Sequence, residues 1–206
     1  MADNKMGAYH LANNPALYEV ARSNNFEFIV TGLGKILQNG NKIDSPLYRA
    51  GVNTTDNNAK IDAAVAEDVI RLSVEKSSVP TFKQSPLSIR RGNSVMKFAG
   101  LPEFNDGTLV VRDFIGADTK SALMAWQNLS YNVKTQKIGQ MKDYKKDCYL
   151  MEYTPDMQLI RTWELKGCWI SGLDMGDFDQ ESGEKRNITA TIPYDYAIMS
   201  LPEEEE

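Results

Sequence analysis

The sequence predicts a mainly β fold, an antiparallel β-sandwich or partly closed barrel with one packed α-helix and a long inserted loop. Short runs rich in β-branched and aromatic residues recur between turn signals, as is typical of antiparallel strands. Only one segment, from Thr119 to about Tyr131, places apolar residues at helical spacing. A turn-rich stretch at about 35–66 interrupts the strand pattern and is the predicted insertion.

The helix prediction depends on a cap and on one apolar face. Asp118 precedes the helix as an N-cap, and Ala122, Leu123, Trp126 and Leu129 share a face. Residues 139–146, which follow the helix, are predicted to form a loop.

The predicted strands are short and are separated by turns. Residues 69–75 alternate most regularly, so we expect a half-buried strand with Arg71, Ser73 and Glu75 on its wet face. Gly92-Asn93 is the predicted turn between two neighbouring strands. The predicted strands are 26–30, 69–75, 87–91, 94–98, 108–114, 147–153, 159–165, 168–173 and 186–194.

Length and composition predict one domain over residues 1–206. With 42% apolar and 25% charged residues, the composition is that of an ordinary globular protein. Residues 1–13 are expected to be a flexible N-terminus, and 203–206 an acidic, solvated tail. The chain has no apolar run long enough for a membrane span and no secretory signal, so we expect a soluble protein made in the cytosol.

Charge and residue inventory argue against several functions. The net charge of −5 argues against a protein that binds nucleic acid through its phosphates. Cys148 and Cys168 lack partners at metal-ligand spacing and are expected to be buried hydrophobes. His10 is the only histidine, which removes a Ser–His–Asp arrangement. We therefore predict no catalytic, no cofactor-binding and no metal-binding residues.

Two weaker patterns also lack the required spacing. Gly32-Leu-Gly34 is not a dinucleotide fingerprint, because Leu37 stands where the third glycine is needed. The acidic residues between 174 and 181 do not match a calcium loop and favour a solvated acidic loop. These residues are Asp174, Asp177, Asp179 and Glu181.

Several ordered segments together resemble the tail tube protein of contractile-tailed phages of the T4-like type. The resemblance covers about 21–34 and 67–197, and it leaves 35–66 as an insertion. The matching segments are Ala21–Phe28, Ala122–Gln127 around the helix tryptophan, Asp143–Lys146, Trp163–Trp169 with its Lys-Gly turn, and Ile188–Tyr196.

This resemblance implies a structural, non-enzymatic protein of the virion tail that is assembled in the host cytoplasm. Such proteins form hexameric rings that stack into a hollow tube, with strands from each copy completing a multi-subunit barrel. The implied partners are other copies of the chain, the tail sheath, the tape measure protein, baseplate proteins that initiate the tube, and the tail terminator. DNA would pass through the lumen without specific binding.

Some choices stay open at the level of sequence. The related tubes of type VI secretion and of contractile bacteriocins conduct no DNA, so a DNA-free injection tube is one alternative. A monomeric ligand-binding β-barrel is another, and it would contain an apolar interior cavity. The wet face formed by Arg71, Ser73 and Glu75 is a candidate for lining the lumen, and an outer solvated face is the alternative. The insertion at 35–66 is expected to contact the next ring or the sheath, and a disordered surface loop is the alternative.

Overall fold

The computed structural model describes residues 19–33, 63–114, 119–181 and 183–202. The predicted flexible N-terminus at 1–13, the acidic tail at 203–206 and most of the predicted insertion lie outside these residues. The last residues of the insertion, from Ala63 onward, begin a helix.

The described residues contain three helices and fourteen strands. The helices are α1 Ala63–Ser73, α2 Thr119–Ser130 and α3 Met141–Tyr144. The strands are β1 Phe26–Thr31, β2 Val74–Ser77, β3 Phe82–Gln84, β4 Leu87–Arg91, β5 Ser94–Phe98, β6 Pro102–Phe104, β7 Gly107–Arg112, β8 Tyr131–Asn132, β9 Lys137–Ile138, β10 Lys146–Tyr153, β11 Leu159–Cys168, β12 Gly172–Asp174, β13 Asn187–Ile192 and β14 Tyr196–Ser200.

Two four-stranded antiparallel sheets dominate the molecule. Sheet A has the strand order β1-β10-β11-β14, and sheet B has the order β12-β13-β7-β2. The remaining strands pair only as two-stranded ribbons, β3 with β6, β4 with β5, and β8 with β9. The predicted mainly antiparallel β fold is confirmed.

A single hydrophobic core joins the inner faces of both sheets with helix α2. This core forms because alternate side chains of the central strands point inward. In strand β13, half-buried and buried side chains alternate along the whole length. Trp126 of α2 is 1% exposed, and its indole Nε1 donates a hydrogen bond of 3.1 Å to the carbonyl of Tyr144. The core side chains are Phe28, Val30, Leu33, Ile70, Leu109, Val111, Ala122, Leu123, Trp126, Leu129, Cys148, Leu150, Leu165, Cys168, Ile170, Ile188, Ala190, Ile192 and Tyr194.

The strand predicted at 69–75 is wrong, because the chain continues helix α1 as far as Ser73. Residues three apart share a helix face, and Ile70 and Ser73 are accordingly both buried. Leu72, which a strand would bury, is 77% exposed. The Ser73 hydroxyl bonds to the Val69 carbonyl and lies 3.0 Å from the Thr119 hydroxyl of α2. Arg71, Ser73 and Glu75 therefore do not form one wet face.

Several other elements differ from the sequence prediction. The strand predicted at 168–173 is wrong, because β11 continues as far as Cys168 and the next strand, β12, covers only Gly172–Asp174. The loop predicted at 139–146 contains the short helix α3. The strand predicted to end at Tyr194 ends at Ile192 instead, and a further strand, β14, follows it at the edge of sheet A. Helix α2, predicted from Thr119 to about Tyr131, is confirmed over Thr119–Ser130.

Replacing Trp126 by alanine should strongly destabilise the fold. The change removes a buried side chain and leaves the Tyr144 carbonyl without its indole donor, so we expect a loss of about 3–5 kcal/mol in the free energy of unfolding. Urea denaturation of the dispersed protein measures this loss. Ile138→Ala is the control, because Ile138 is 82% exposed and its truncation should change stability little. Equal effects of the two changes would contradict the described core.

Candidate assembly surfaces

Within the described part of the chain, strand β14 is an uncovered edge of sheet A. It pairs with β11 on one side, and no described strand pairs with its other side. Tyr196, Ile198 and Met199 are each about half exposed, at 46%, 50% and 48%. The strand has no charge, no proline and no register shift, which are the usual devices that stop an edge from pairing with another chain. This edge is therefore suited to strand addition.

Asp195 fixes the point at which β14 begins. Both of its carboxylate oxygens accept hydrogen bonds of 2.6 Å from Nζ of Lys145. Its backbone N–H donates to the carbonyl of Lys166 at 2.9 Å. Gly167 has a φ of +72°, and a Cβ there would lie 2.3 Å from Asp195 Oδ2. Only glycine leaves room for the carboxylate in this position.

Further contacts hold the segment that carries Lys145. The Tyr144 and Trp169 rings meet edge to face with centroids 5.8 Å apart. Beside them, Nζ of Lys166 lies 2.5 Å from a Glu164 oxygen and 2.9 Å from an Asp147 oxygen. These hydrogen bonds raise the pKa of Lys166, and the same contact with Lys166 lowers the pKa of Glu164. Lys166 therefore stays charged where β10 and β11 change register.

The segments on which the resemblance depends come together at this point. The Tyr-Lys-Lys segment, the Lys-Gly turn and Asp195 are far apart in sequence, and here they form one cluster. We call Tyr144, Lys145, Gly167, Trp169 and Asp195 the anchor cluster. Sequence reasoning found the members of the cluster but missed the strand that they position.

A second pair of edges meets on the other side of the molecule. Strands β1 and β2 lie close together there, and an open cleft of about 350 Å³ separates them. Arg71 and Glu27 line this cleft, with Arg71 Nε 2.6 Å from Glu27 Oε1, and the contact raises the pKa of Arg71. Glu75 bonds to Lys185 and Arg112, and the hydrogen bond from Lys185 lowers the pKa of Glu75. The cleft is polar and open, unlike the apolar interior of a ligand-binding barrel.

Residues 81–104 form a two-stranded ribbon, which we call the arm. All residues from 81 to 99 are exposed, and no residue of β4 or β5 belongs to the core. Strands β3 and β6 form its base and β4 and β5 its outer half, with Gly92 at the turn in the left-handed conformation, φ +62°. The hairpin predicted at 87–98 is confirmed.

Aromatic stacking attaches the base of the arm to the core. The ring centroids of Phe82 and Phe104 are 5.6 Å apart, and those of Phe104 and Tyr194 are 5.8 Å apart. The Tyr194 hydroxyl accepts a hydrogen bond of 3.2 Å from the Thr81 N–H. Tyr194 is buried in the core, so the arm has a fixed base.

The cysteine and acidic side chains that were candidates for catalysis or metal binding have structural roles or lie apart from one another. Cys148 and Cys168 are buried as expected, and burial raises the pKa of the Cys148 thiol. Within the described ranges, no three acidic, histidine or cysteine side chains are grouped so that they could hold a metal ion. No helix of the described part is long and apolar enough to cross a membrane.

Comparison with known proteins identifies the fold. No protein-family model matches the chain, and no curated protein sequence matches it. A chain of the sheath–tube complex of an extracellular contractile injection system, PVC, matches with a TM-score of 0.59 and 15% identity, over 96% of this chain and 99% of that one. A chain of the tube-terminating cap of the anti-feeding prophage, AFP, matches with a TM-score of 0.59 and 15% identity, over 98% and 99% of the two chains.

A third match comes from the PVC sheath/tube terminator, with a TM-score of 0.50 and 22% identity over 62% of this chain and 84% of that one. At these identities the comparisons establish the fold and nothing finer. The chain has the fold found in contractile injection systems, as the resemblance to contractile tail tubes predicted.

The anchor cluster can be tested with two glycines. Gly167 and Gly92 both have positive φ, so alanine at either should cost about 1–2 kcal/mol in backbone strain. Gly167→Ala should cost roughly 1 kcal/mol more, because the new Cβ pushes Asp195 away from Lys145. Nothing lies within 4 Å of a Cβ built at Gly92, so it is the matched control.

Urea denaturation of the dispersed protein gives both values. In an Asp195→Ala background, the extra cost at Gly167 should disappear, since the group that clashes is gone. An extra cost that survives in that background would show that the anchor cluster is described wrongly.

Proposed function

We propose that this chain is the tube subunit of a contractile injection system, in which copies form hexameric rings that stack into a hollow tube. The observation that carries the proposal is the exposed, uncharged edge of β14. A monomer with such an edge would tend to aggregate, whereas a ring would cover it by pairing it with an open edge of the next copy. The shared fold with components of PVC and AFP supports the same conclusion.

The geometry of sheet A suits a closed ring. Four strands from each of six copies give about 24 strands, more than the 16–18 strands of porins, which already leave a channel. With strands about 4.8 Å apart and tilted by roughly 40°, the backbone radius is roughly 24 Å. Side chains then leave a bore of roughly 40 Å or less, which is wide enough for a DNA duplex or a folded cargo.

A monomeric ligand-binding barrel is less well supported. The inner faces of the two sheets are filled by the core side chains, and the cleft between β1 and β2 is open and charged. An enzyme is also less well supported, because the cluster of charged groups around Asp195 is used in ion pairs that hold a strand.

The proposed partners follow from the assembly. Other copies of this chain are the first partner, through β14 and through ring-on-ring stacking. The matched structures are a sheath–tube complex, a tube-terminating cap and a sheath/tube terminator, so we propose a sheath protein, a terminator and baseplate initiators as further partners. A tape measure protein would occupy the lumen during assembly.

Within this class, we propose a phage tail tube that conducts DNA, in a virion tail assembled in the host cytoplasm. The net charge of −5 supports it, because an acidic wall lets phosphates pass without binding. A tube of a DNA-free injection system is the second candidate, and the matches to PVC and AFP favour it. Purified particles that contain this chain decide between them: nuclease-protected DNA and a capsid support the first candidate, and their absence supports the second.

Placing a charge in the middle of the free edge should block ring formation. Ile198→Lys puts an ammonium group where strand pairing would bury it, while the half-exposed position allows the monomer to fold. We expect negative-stain electron microscopy to show rings or tubes of the wild-type chain. The variant should show none and should sediment as a monomer.

Ile138→Lys is the matched control, since Ile138 is 82% exposed and lies in the β8–β9 ribbon, away from β14. The control should assemble like the wild-type chain. Rings formed by Ile198→Lys would exclude β14 as the contact between copies. A wild-type chain that stays monomeric at high concentration would exclude the tube function itself.

A further inference from the structure

The arm has two chemically different faces. Facing residues of a ribbon lie on the same side, so the register places Leu87, Phe98, Ile89 and Met96 together on an apolar face. These four side chains are 46–60% exposed, and no described part of the same chain covers them. An isolated two-stranded ribbon is marginally stable in water, so this face is expected to be covered by something else.

The opposite face of the arm is basic. On this face Lys97 lies opposite Ser88, and Arg90 lies opposite Val95. Arg91 lies opposite Ser94 on the other face, next to the turn. With Lys83 at the base, the arm has four cationic side chains and one acidic one, Glu103, for a net charge of 4 − 1 = +3. The whole chain has a net charge of −5, so the rest of the chain has −5 − 3 = −8. No ion pair to these four cations lies within the described ranges.

Sheet B places the arm and an acidic loop at opposite ends. The arm connects β2 to β7, and it leaves the sheet where Ser77 faces Leu109, beside the Gly107–Ile192 pair. The loop 175–186 connects β12 to β13, and it leaves the sheet beyond the Asp174–Thr189 pair, where Asn187 faces Arg112. The six residues of β7 separate the two ends by roughly 17–20 Å.

The acidic loop complements both faces of the arm. Asp177, Asp179 and Glu181 are exposed, and among the described residues no cation pairs with them. Phe178 stands between two of them and is 84% exposed, with its ring face covered by the Arg186 guanidinium at 4.1 Å. The loop thus offers negative charge for the basic face and an aromatic surface for the apolar face.

We propose that the arm of one copy docks on the acidic side chains Asp177, Asp179 and Glu181 of a copy in the next ring. A contact between two different patches at opposite ends of a subunit is head-to-tail, and repetition of such a contact builds an open filament. The proposed docking rests on the proposed tube function. It identifies which surfaces stack the rings, and it gives the stack a direction. The arm's length also fits, because the ten residues from Phe82 to Arg91 span roughly 33 Å, more than the height of sheet B.

A charge-swap experiment tests the docking. The variant Arg90→Glu/Lys97→Glu reverses the two cations of the basic face. It should still form rings, since β14 is untouched, but should raise the concentration needed for stacking by about tenfold or more, because like charges then face each other. The variant Asp177→Lys/Asp179→Lys should show the same defect. Combining all four changes restores opposite charges and should restore tubes. Tube length by negative-stain electron microscopy and ring content by sedimentation are the measurements.

Lys134→Glu/Lys137→Glu is the control, because it reverses two exposed charges on the β8–β9 ribbon. It should form tubes of wild-type length. Tubes of normal length from Arg90→Glu/Lys97→Glu would overturn the docking while leaving the tube function in place. Tubes of normal length that fail only to bind a sheath would overturn it as well. Loss of rings as well as tubes would place the arm within the ring and also overturn it. A four-fold variant that folds, as judged by its melting temperature, but does not regain tubes would overturn it too. A wild-type chain without rings would instead contradict the proposed function.

Discussion

The proposed assembly surface depends on the ion pair between Lys145 and Asp195. This ion pair lies directly against Gly167. Asp195 stands directly before β14, so its position sets where this strand leaves the turn and how it registers with β11. The backbone bond from Asp195 to Lys166 and the glycine at 167 fix the same point from the β11 side. A partly exposed ion pair alone stabilises little, but here it is combined with a backbone bond and a position that only glycine fits.

The described residues form a well-packed core and two surfaces with exposed apolar side chains, the edge of β14 and the arm. Trp126 and the inner faces of both sheets form a continuous core, which gives the monomer its own stability. Strand β14 and the outer half of the arm contribute no fully buried core side chain and expose apolar side chains instead. In a soluble monomer such surfaces are a liability, whereas in a ring and a stack each has a defined place to be buried.

The central strands could be predicted from sequence because β1, β7, β10 and β13 follow the alternation rule, and α2 has an uninterrupted apolar face. Residues 69–75 were misassigned because Ile70, Leu72 and Val74 imitate a strand, while the buried polar partner Ser73 hides the helical spacing. Strand β14 was missed because Ala197, Ile198 and Met199 are consecutive apolar residues, so the strand shows no wet face. In the proposed ring, its second neighbour belongs to another copy, which the sequence of one chain does not show. The anchor cluster could be found as separate segments, but only the fold brings them together.

In the proposed ring, β14 completes its hydrogen bonding with a neighbouring copy. Hydrogen–deuterium exchange of the peptide containing Tyr196–Ser200, compared between dispersed subunits and purified tubes, tests it most directly, because amides at an open edge exchange readily and paired amides do not. We predict strong protection of this peptide in the tubes, with little change in the exposed β8–β9 ribbon. Equal exchange of Tyr196–Ser200 in both states would contradict the claim.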